Sequence, residues 1–151
     1  MRECVRGATL TLAALVFGCD SGPELPPQVM PGPHHGTTIR LPADKGFVEL
    51  TNEPPVSGRG SREPTSIVAY FLKTDGTSTL EPAPTDVTIV VDGAKKGSET
   101  ISLAAEPKSD DPAGSSRFAS KPGPHHLGML RGTLKAKLAG QDISIAVSGS
   151  R

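Results

Sequence analysis

Short runs of alternating apolar and polar residues, separated by proline and glycine, most constrain how this chain can fold. The 151 residues include 17 glycines and 15 prolines, and no stretch combines ten helix-forming residues with an apolar stripe. A single helical turn is predicted at residues 127–131. Because successive residues of a strand point to opposite faces, the period of two predicts half-buried β-strands.

The clearest strands are predicted near the C-terminal end. Residues 134–138 and 143–147 alternate on either side of a turn at residues 139–142, which predicts a β-hairpin. Residues 66–72 form a continuous apolar run rich in β-branched and aromatic side chains, which predicts a central strand covered on both faces. Further strands are predicted at residues 37–41, 47–50, 87–91, 100–103 and 117–119.

Seven or eight short strands with proline- and glycine-rich turns indicate an all-β fold. The expected architecture is an antiparallel β-sandwich, immunoglobulin-like or similar, or a small barrel. The lack of long helices argues against a parallel sheet, because parallel neighbours need long crossover connections. The sequence leaves the strand order open.

A different pattern precedes the strands. Arg2 and Arg6 lead into an apolar run at residues 8–17. This run is too short to span a bilayer, since a spanning helix needs about 20 residues, and it is typical of a secretory signal peptide. Gly18 supplies a small residue at the expected cleavage point, and Cys19 follows it directly.

Residues 16–19, Val-Phe-Gly-Cys, resemble the lipobox of bacterial lipoproteins, with Phe17 where that family usually has a smaller residue. The resemblance implies export, removal of a signal peptide at residues 1–18, and lipid on Cys19. The lipid would anchor the protein to the inner or outer bacterial membrane, with its domain in the periplasm or at the cell surface. The alternative is ordinary signal-peptidase cleavage, which leaves Cys19 as a free thiol.

The rest of the chain divides into two parts. Residues 19–33 contain the cysteine and a proline-rich stretch, which predicts an extended or disordered tether. Residues 34–151 contain all the predicted strands and form the expected β domain. Two long polar loops within it, at residues 52–64 and 108–115, are candidates for contact with an envelope protein or a glycan.

Cysteine usage and charge narrow the classes of partner. Cys4 and Cys19 are the only cysteines, so loss of the signal peptide leaves no pair for a disulfide or a thiolate zinc site. The chain has 16 basic and 16 acidic side chains, and it lacks the basic field that binds nucleic acid. Membrane contact is therefore expected through lipid rather than through charge.

All the histidines lie in two copies of the pentapeptide Pro-Gly-Pro-His-His, at residues 31–35 and 122–126. Two imidazole pairs on stiff loops could bind Zn(II) or Cu(II) if the loops meet, with a carboxylate such as Asp44 or Asp111 completing the site. The alternative is that proline-glycine turns recur by chance and that the histidines lie on these turns without binding metal. The candidate metal ligands are His34, His35, His125 and His126.

No pattern of catalytic residues is recognisable. The chain has no Gly-x-Ser-x-Gly nucleophile motif, no calcium-binding loop and no acid–base cluster, and its catalytic residues are predicted as none. Asp75, Asp92 and Asp142 are each predicted to occupy a turn, where aspartate satisfies local backbone donors. We therefore expect a non-enzymatic binding or structural module without a cofactor, unless the histidine loops hold metal.

Residues 33–36, Pro-His-His-Gly, resemble the Pro-His-Gly-Gly opening of uncharacterised small envelope lipoproteins and periplasmic modules, with His35 in place of the first glycine. The segments at residues 38–41, 46–50, 67–72 and 116–120 follow in that family's order. Since similar modules can accompany metal-efflux adaptors, the resemblance implies a metal-efflux accessory role as the alternative to a metal-free binding module.

Overall fold

The structure, a computed structural model, describes residues 32–54, 64–94, 97–108 and 116–149. The predicted signal peptide, the cleavage site at Gly18, Cys19, most of the tether and most of both long polar loops lie outside these ranges. The predictions made for those segments stay predictions.

The described residues form eight antiparallel strands, which confirms the all-β prediction. They make one curled sheet, a half-barrel, with the order β1-β2-β3-β6-β5-β4-β7-β8. The predicted helical turn is a short 3₁₀ helix at Leu127–Met129. Among the described residues, no helix is long and apolar enough to cross a membrane. The strands are β1 Thr37–Arg40, β2 Phe47–Glu53, β3 Ser66–Leu72, β4 Thr85–Ala94, β5 Gly97–Ala105, β6 Arg117–Ser120, β7 Arg131–Leu138 and β8 Gln141–Ser148.

β5 is where the sheet passes from one half to the other. Its first part pairs with β4 as far as Ser102, and its last part pairs with β6 from Leu103 onward. One apolar cluster contains side chains from both halves. The sheet therefore curls around a shared core, because burial of these side chains removes apolar surface of both halves from water. The core includes Leu50, Phe71, Ile89, Leu134 and Ile145.

β3 is covered on both faces, as its continuous apolar sequence predicts. Residues 67–72 are all buried, and β3 lies between β2 and β6. Its inward side chains join the main core, whereas Val68, Tyr70 and Leu72 form a second, smaller cluster with Ala119 and partly buried Phe47. The outer face of the sheet therefore needs a cover at this place.

The β7–β8 hairpin forms where the alternation predicts it, but its turn has only two residues, Ala139 and Gly140. Gln141 and Asp142, predicted to lie in the turn, belong to β8. Ala139 and Gly140 both have positive φ, 50° and 79°. This is the conformation that two-residue hairpins favour, because its twist matches that of the strands. Glycine adopts it freely, but alanine is strained there by its Cβ.

We expect Ala139→Asn to raise the free energy of unfolding by about 0.5–1 kcal/mol, because asparagine tolerates the left-handed region better than alanine. Urea denaturation would measure the change. Ala104→Asn, at an exposed position within β5, is the matched control and should give no gain. Equal effects of the two substitutions would contradict the turn explanation.

Candidate functional site

Glu49 is a carboxylate on the outer face of β2 that is nevertheless fully buried. Its neighbours Val48 and Leu50 point into the main core, so strand alternation places Glu49 on the opposite face. That face would ordinarily meet solvent. Here the chain segment that precedes β1, residues 32–36, lies over it.

This segment surrounds the Glu49 carboxylate with hydrogen-bond donors. The backbone N–H of Gly36 donates to Oε1 at 2.7 Å, and the backbone N–H of His34 donates to the same oxygen at 2.9 Å. The Nδ1 atom of the His34 ring lies 2.9 Å from Oε2. We call this arrangement of Glu49 with residues 32–36 the Glu49 clamp. It supplies the partners that a buried carboxylate requires.

The clamp depends on a tight backbone turn with no room for extra atoms. The His35 N–H donates to the Gly32 carbonyl at 3.0 Å, and His35 has φ of 60°. A Cβ atom on Gly32 would overlap the Glu49 carboxylate, and one on Gly36 would overlap the Leu50 carbonyl. Both glycines are therefore required by close approach of the segment to β2.

The His34 ring is also stacked on Tyr70. The two rings are nearly parallel, at 3° with centroids 3.6 Å apart. The strand register explains the contact, since Glu49 pairs with Tyr70 across β2 and β3, and Tyr70 pairs with Arg117 across β3 and β6. Directly opposed residues share one face of a sheet. His34 therefore covers the outer face above β3.

Beyond Tyr70 on the same face lies a group of charged side chains, Arg117, Glu53, Glu106 and Lys108. We call these residues, together with the Tyr70 hydroxyl, the Arg117 network. The Arg117 side chain is only 2% exposed, and it donates to Glu53 Oε2 at 2.8 Å, to Tyr70 Oη at 3.3 Å and to Glu106 Oε2 at 3.3 Å. Lys108 donates to the other Glu53 oxygen at 2.8 Å. The buried guanidinium thus has the paired partners that burial of a charge demands.

Two pKa values follow from this network. Partial burial works to raise the pKa of Glu53, but the hydrogen bond from Lys108 and the positive charge of Arg117 outweigh it and hold that pKa below its usual value. Burial raises the pKa of Tyr70, and the Glu53 carboxylate adds to the increase, against the opposing hydrogen bond from Arg117.

The second Pro-Gly-Pro-His-His copy packs differently. Gly123 and Thr65 exchange two backbone hydrogen bonds, at 2.9 and 3.0 Å. Asn52 at the end of β2 accepts from the Leu127 N–H at 2.6 Å, and the Thr65 hydroxyl donates to the His125 carbonyl at 2.9 Å. This copy therefore fastens the connection after β6 to the ends of β2 and β3.

The structure does not bring the predicted metal ligands together as a site. His34 is paired with Glu49, and His125 Nε2 lies 3.2 Å from Glu99. Across the described ranges, which include all four histidines, no group of three or more histidine, cysteine, aspartate or glutamate residues is placed to hold a metal ion. Asp44 forms an ion pair with Arg40 at 2.9 Å, and Asp111 lies outside the described residues.

Sequence reasoning singled out His34 but missed the residues beneath it. Glu49 looks like an ordinary solvated position of an alternating strand, and Arg117 looks like the polar start of a short one. The available signal was β3, because a strand covered on both faces requires buried neighbours on its outer face as well. Its outer residue Tyr70 therefore points to buried neighbours on the same face of the adjacent strands, which are Glu49 on β2 and Arg117 on β6.

We expect Glu49→Ala to lower the free energy of unfolding by about 2–4 kcal/mol, because it removes hydrogen bonds to a charged acceptor and leaves the N–H groups of His34 and Gly36 unpaired. Glu99→Ala is the matched control, since Glu99 also pairs with a histidine of a Pro-Gly-Pro-His-His copy but is exposed. Its cost should stay below about 0.5 kcal/mol. Urea denaturation compares them.

Gly32→Ala tests the same clamp without touching the carboxylate, and it should cost more than about 1 kcal/mol through the steric overlap. Gly123 occupies the equivalent position of the second copy, where an added Cβ would lie 3.5 Å from the nearest atom, an ordinary contact. Gly123→Ala should therefore be tolerated. Equal stabilities for the two alanine variants would rule out the tight approach of Gly32 to Glu49.

We also expect the Tyr70 hydroxyl to titrate above the ordinary tyrosine pKa of about 10, because burial disfavours the phenolate. Tyr70 is the only tyrosine in a chain without tryptophan, so ultraviolet absorbance against pH reports it alone. Glu53→Gln removes a nearby negative charge and should lower the midpoint relative to the unsubstituted protein. A midpoint at or below the ordinary value in folded protein would contradict the burial of this ring.

Comparison of the chain with protein-family models, with curated proteins and with solved structures finds no match.

Proposed function

We propose that this chain is a lipid-anchored protein of the bacterial cell envelope, whose β domain acts as a non-enzymatic binding or structural module. Lipid on Cys19 would provide the anchor, and the proline-rich segment before residue 32 would connect it to the domain. The observation that carries the proposal is the Glu49 clamp. It fixes the segment through which the predicted tether enters the domain.

A tethered domain needs a strong point of attachment, since any force on the tether acts on the first residues of the fold. Those residues lead into β1, which has only four residues and lies at the edge of the sheet. The clamp joins residues 34 and 36 to Glu49 on β2, and the His34 ring to Tyr70 on β3. A pull on the tether is therefore shared with the buried central strand.

The Arg117 network supports a role for the two long polar loops. Glu53 ends β2 just before one loop, whereas Lys108 begins the other and Arg117 follows it. Ion pairs among these three residues hold the bases of both loops together. Loops on a rigid base are where proteins commonly place binding residues. We propose that these loops contact an envelope protein or a glycan.

The anchor is tested by the intact mass of the protein extracted from membranes of an exporting bacterium. The expected mass is that of a chain beginning at Cys19 with acyl groups attached. Cys19→Ala should leave the chain uncleaved or release the domain into the soluble fraction. An unmodified soluble protein that begins at another residue would contradict the proposal.

Cys19→Ala lies outside the described domain and should leave its thermal unfolding unchanged, which separates loss of the anchor from loss of the fold. Cys4→Ala is the matched control, because Cys4 lies in the predicted signal peptide and has no proposed lipid. It should be processed and anchored like the unsubstituted chain. Equal loss of anchoring in both variants would show that the Cys19 result is not specific.

A further inference from the structure

The two edges of the sheet differ in how open they are to further pairing. β1 has four residues, ends two positions before Pro42, and is preceded by the Glu49 clamp. β8 has eight residues, and every one of them pairs with β7 without a bulge. The open edge of the described sheet is therefore long and regular only on the β8 side.

The hydrogen-bonding pattern shows which β8 groups face outward. In antiparallel pairs, alternate residues bond to the partner strand. The two-residue turn makes Leu138 and Gln141 a bonded pair, and Gly149 N–H donates to the Leu130 carbonyl at 2.8 Å in the same register. The odd-numbered residues of β8 thus bond to β7. The residues whose backbone N–H and C=O point away from β7 are Asp142, Ser144, Ala146 and Ser148.

This edge lacks the usual features that prevent pairing. Natural edge strands are protected by proline, lysine, bulges or shortness. Residues 141–148 contain no proline and no basic residue, and Asp142 is their only charge. The exposed side chains at residues 144, 146 and 148 are small. Lys45 donates a hydrogen bond to the Gln141 side chain at 2.6 Å, at the first residue of the strand. Another strand could therefore approach along residues 142–148.

We propose that β8 pairs antiparallel with β8 of a second copy of this chain, around a two-fold axis through Ile145. Only residues with outward backbone groups can bond across the edge, and this axis uses all of them. It places Ser144 opposite Ala146 of the second copy and Asp142 opposite its Ser148. The two Asp142 carboxylates are thereby kept apart, and each faces a hydroxyl. Such an isologous contact closes as a dimer.

The inner face of β8 also suits a second copy. Ile143, Ile145 and Val147 are buried and β-branched. Under the proposed axis Ile145 meets its own symmetry mate, and Ile143 meets Val147. The apolar core would then continue across the dimer, because directly opposed side chains on one face of a sheet are close enough to contact each other. The proline-rich segment at residues 19–33 is a poorer occupant, because proline lacks the N–H that a strand must donate.

Cysteine cross-linking of the full-length chain tests the register, with Cys4→Ser and Cys19→Ser to remove the native thiols. In the proposed dimer, residues 144 and 146 of opposite copies have Cα atoms about 5.5 Å apart, within disulfide range. Ser144→Cys with Ala146→Cys should give a disulfide-linked dimer under mild oxidation. The matched control is Ser102→Cys with Ala104→Cys, an exposed pair of the same residues inside the sheet on β5.

The control pair should remain monomeric on a non-reducing gel. Absence of the dimer from the β8 pair, or equal cross-linking of both pairs, would overturn the proposal.

Two further variants test the edge without cysteine. Ala146→Pro removes an outward N–H, whereas Ala146→Thr keeps it. Light scattering should show twice the chain mass for the threonine variant and the single-chain mass for the proline variant, and a proline variant that stays dimeric would also overturn the proposal.

Discussion

The buried carboxylate of Glu49 is the interaction on which the outer face of the sheet depends. An isolated buried carboxylate is strongly unfavourable, and it becomes tolerable when donors surround it. Here the donors come from one short segment, through the backbone of His34 and Gly36 and the ring of His34. The same segment places an aromatic cover on Tyr70. The Glu49 carboxylate and the His34 ring therefore stabilise each other. Without the segment the carboxylate would lack its donors, and without the carboxylate the His34 ring would not be held on Tyr70.

Arg117 is a second buried charge on the same outer face, two strands across the sheet from Glu49, and it too depends on its hydrogen-bond partners. A guanidinium that is nearly inaccessible to water requires acceptors in fixed positions, and Glu53, Glu106 and Tyr70 provide them. These residues belong to different strands and to the bases of two loops. The folded domain is strongly destabilised when a buried charge is left without its partner. The network therefore restrains the positions of the residues at the bases of both loops. A binding surface carried by those loops would thus begin from a rigid framework.

Local patterns in the sequence predict the strands well, because alternation and turn residues act within a few positions of one another. β3, β7 and β8 are clear from such patterns alone. The strand order is not, since the pairing of β3 with β6 joins residues more than forty positions apart. The two identical pentapeptides likewise show that local sequence does not determine which residues a segment contacts. The copy at residues 31–35 covers the buried Glu49, whereas the copy at residues 122–126 is hydrogen-bonded to Thr65. The two copies differ in their contacts because different parts of β2 and β3 lie next to them.

The position of β6 has a consequence for how the domain unfolds. This strand has four residues, all buried, and it lies between β3 and β5. Without it, the sheet would separate into one ribbon of three strands and another of four, each with an uncovered edge and half of the core exposed. The halves are thus coupled through a very short element, so the domain should open as a single cooperative unit. Correct insertion of β6 between strands formed earlier in the chain is a non-local step, the kind that slows the folding of β proteins.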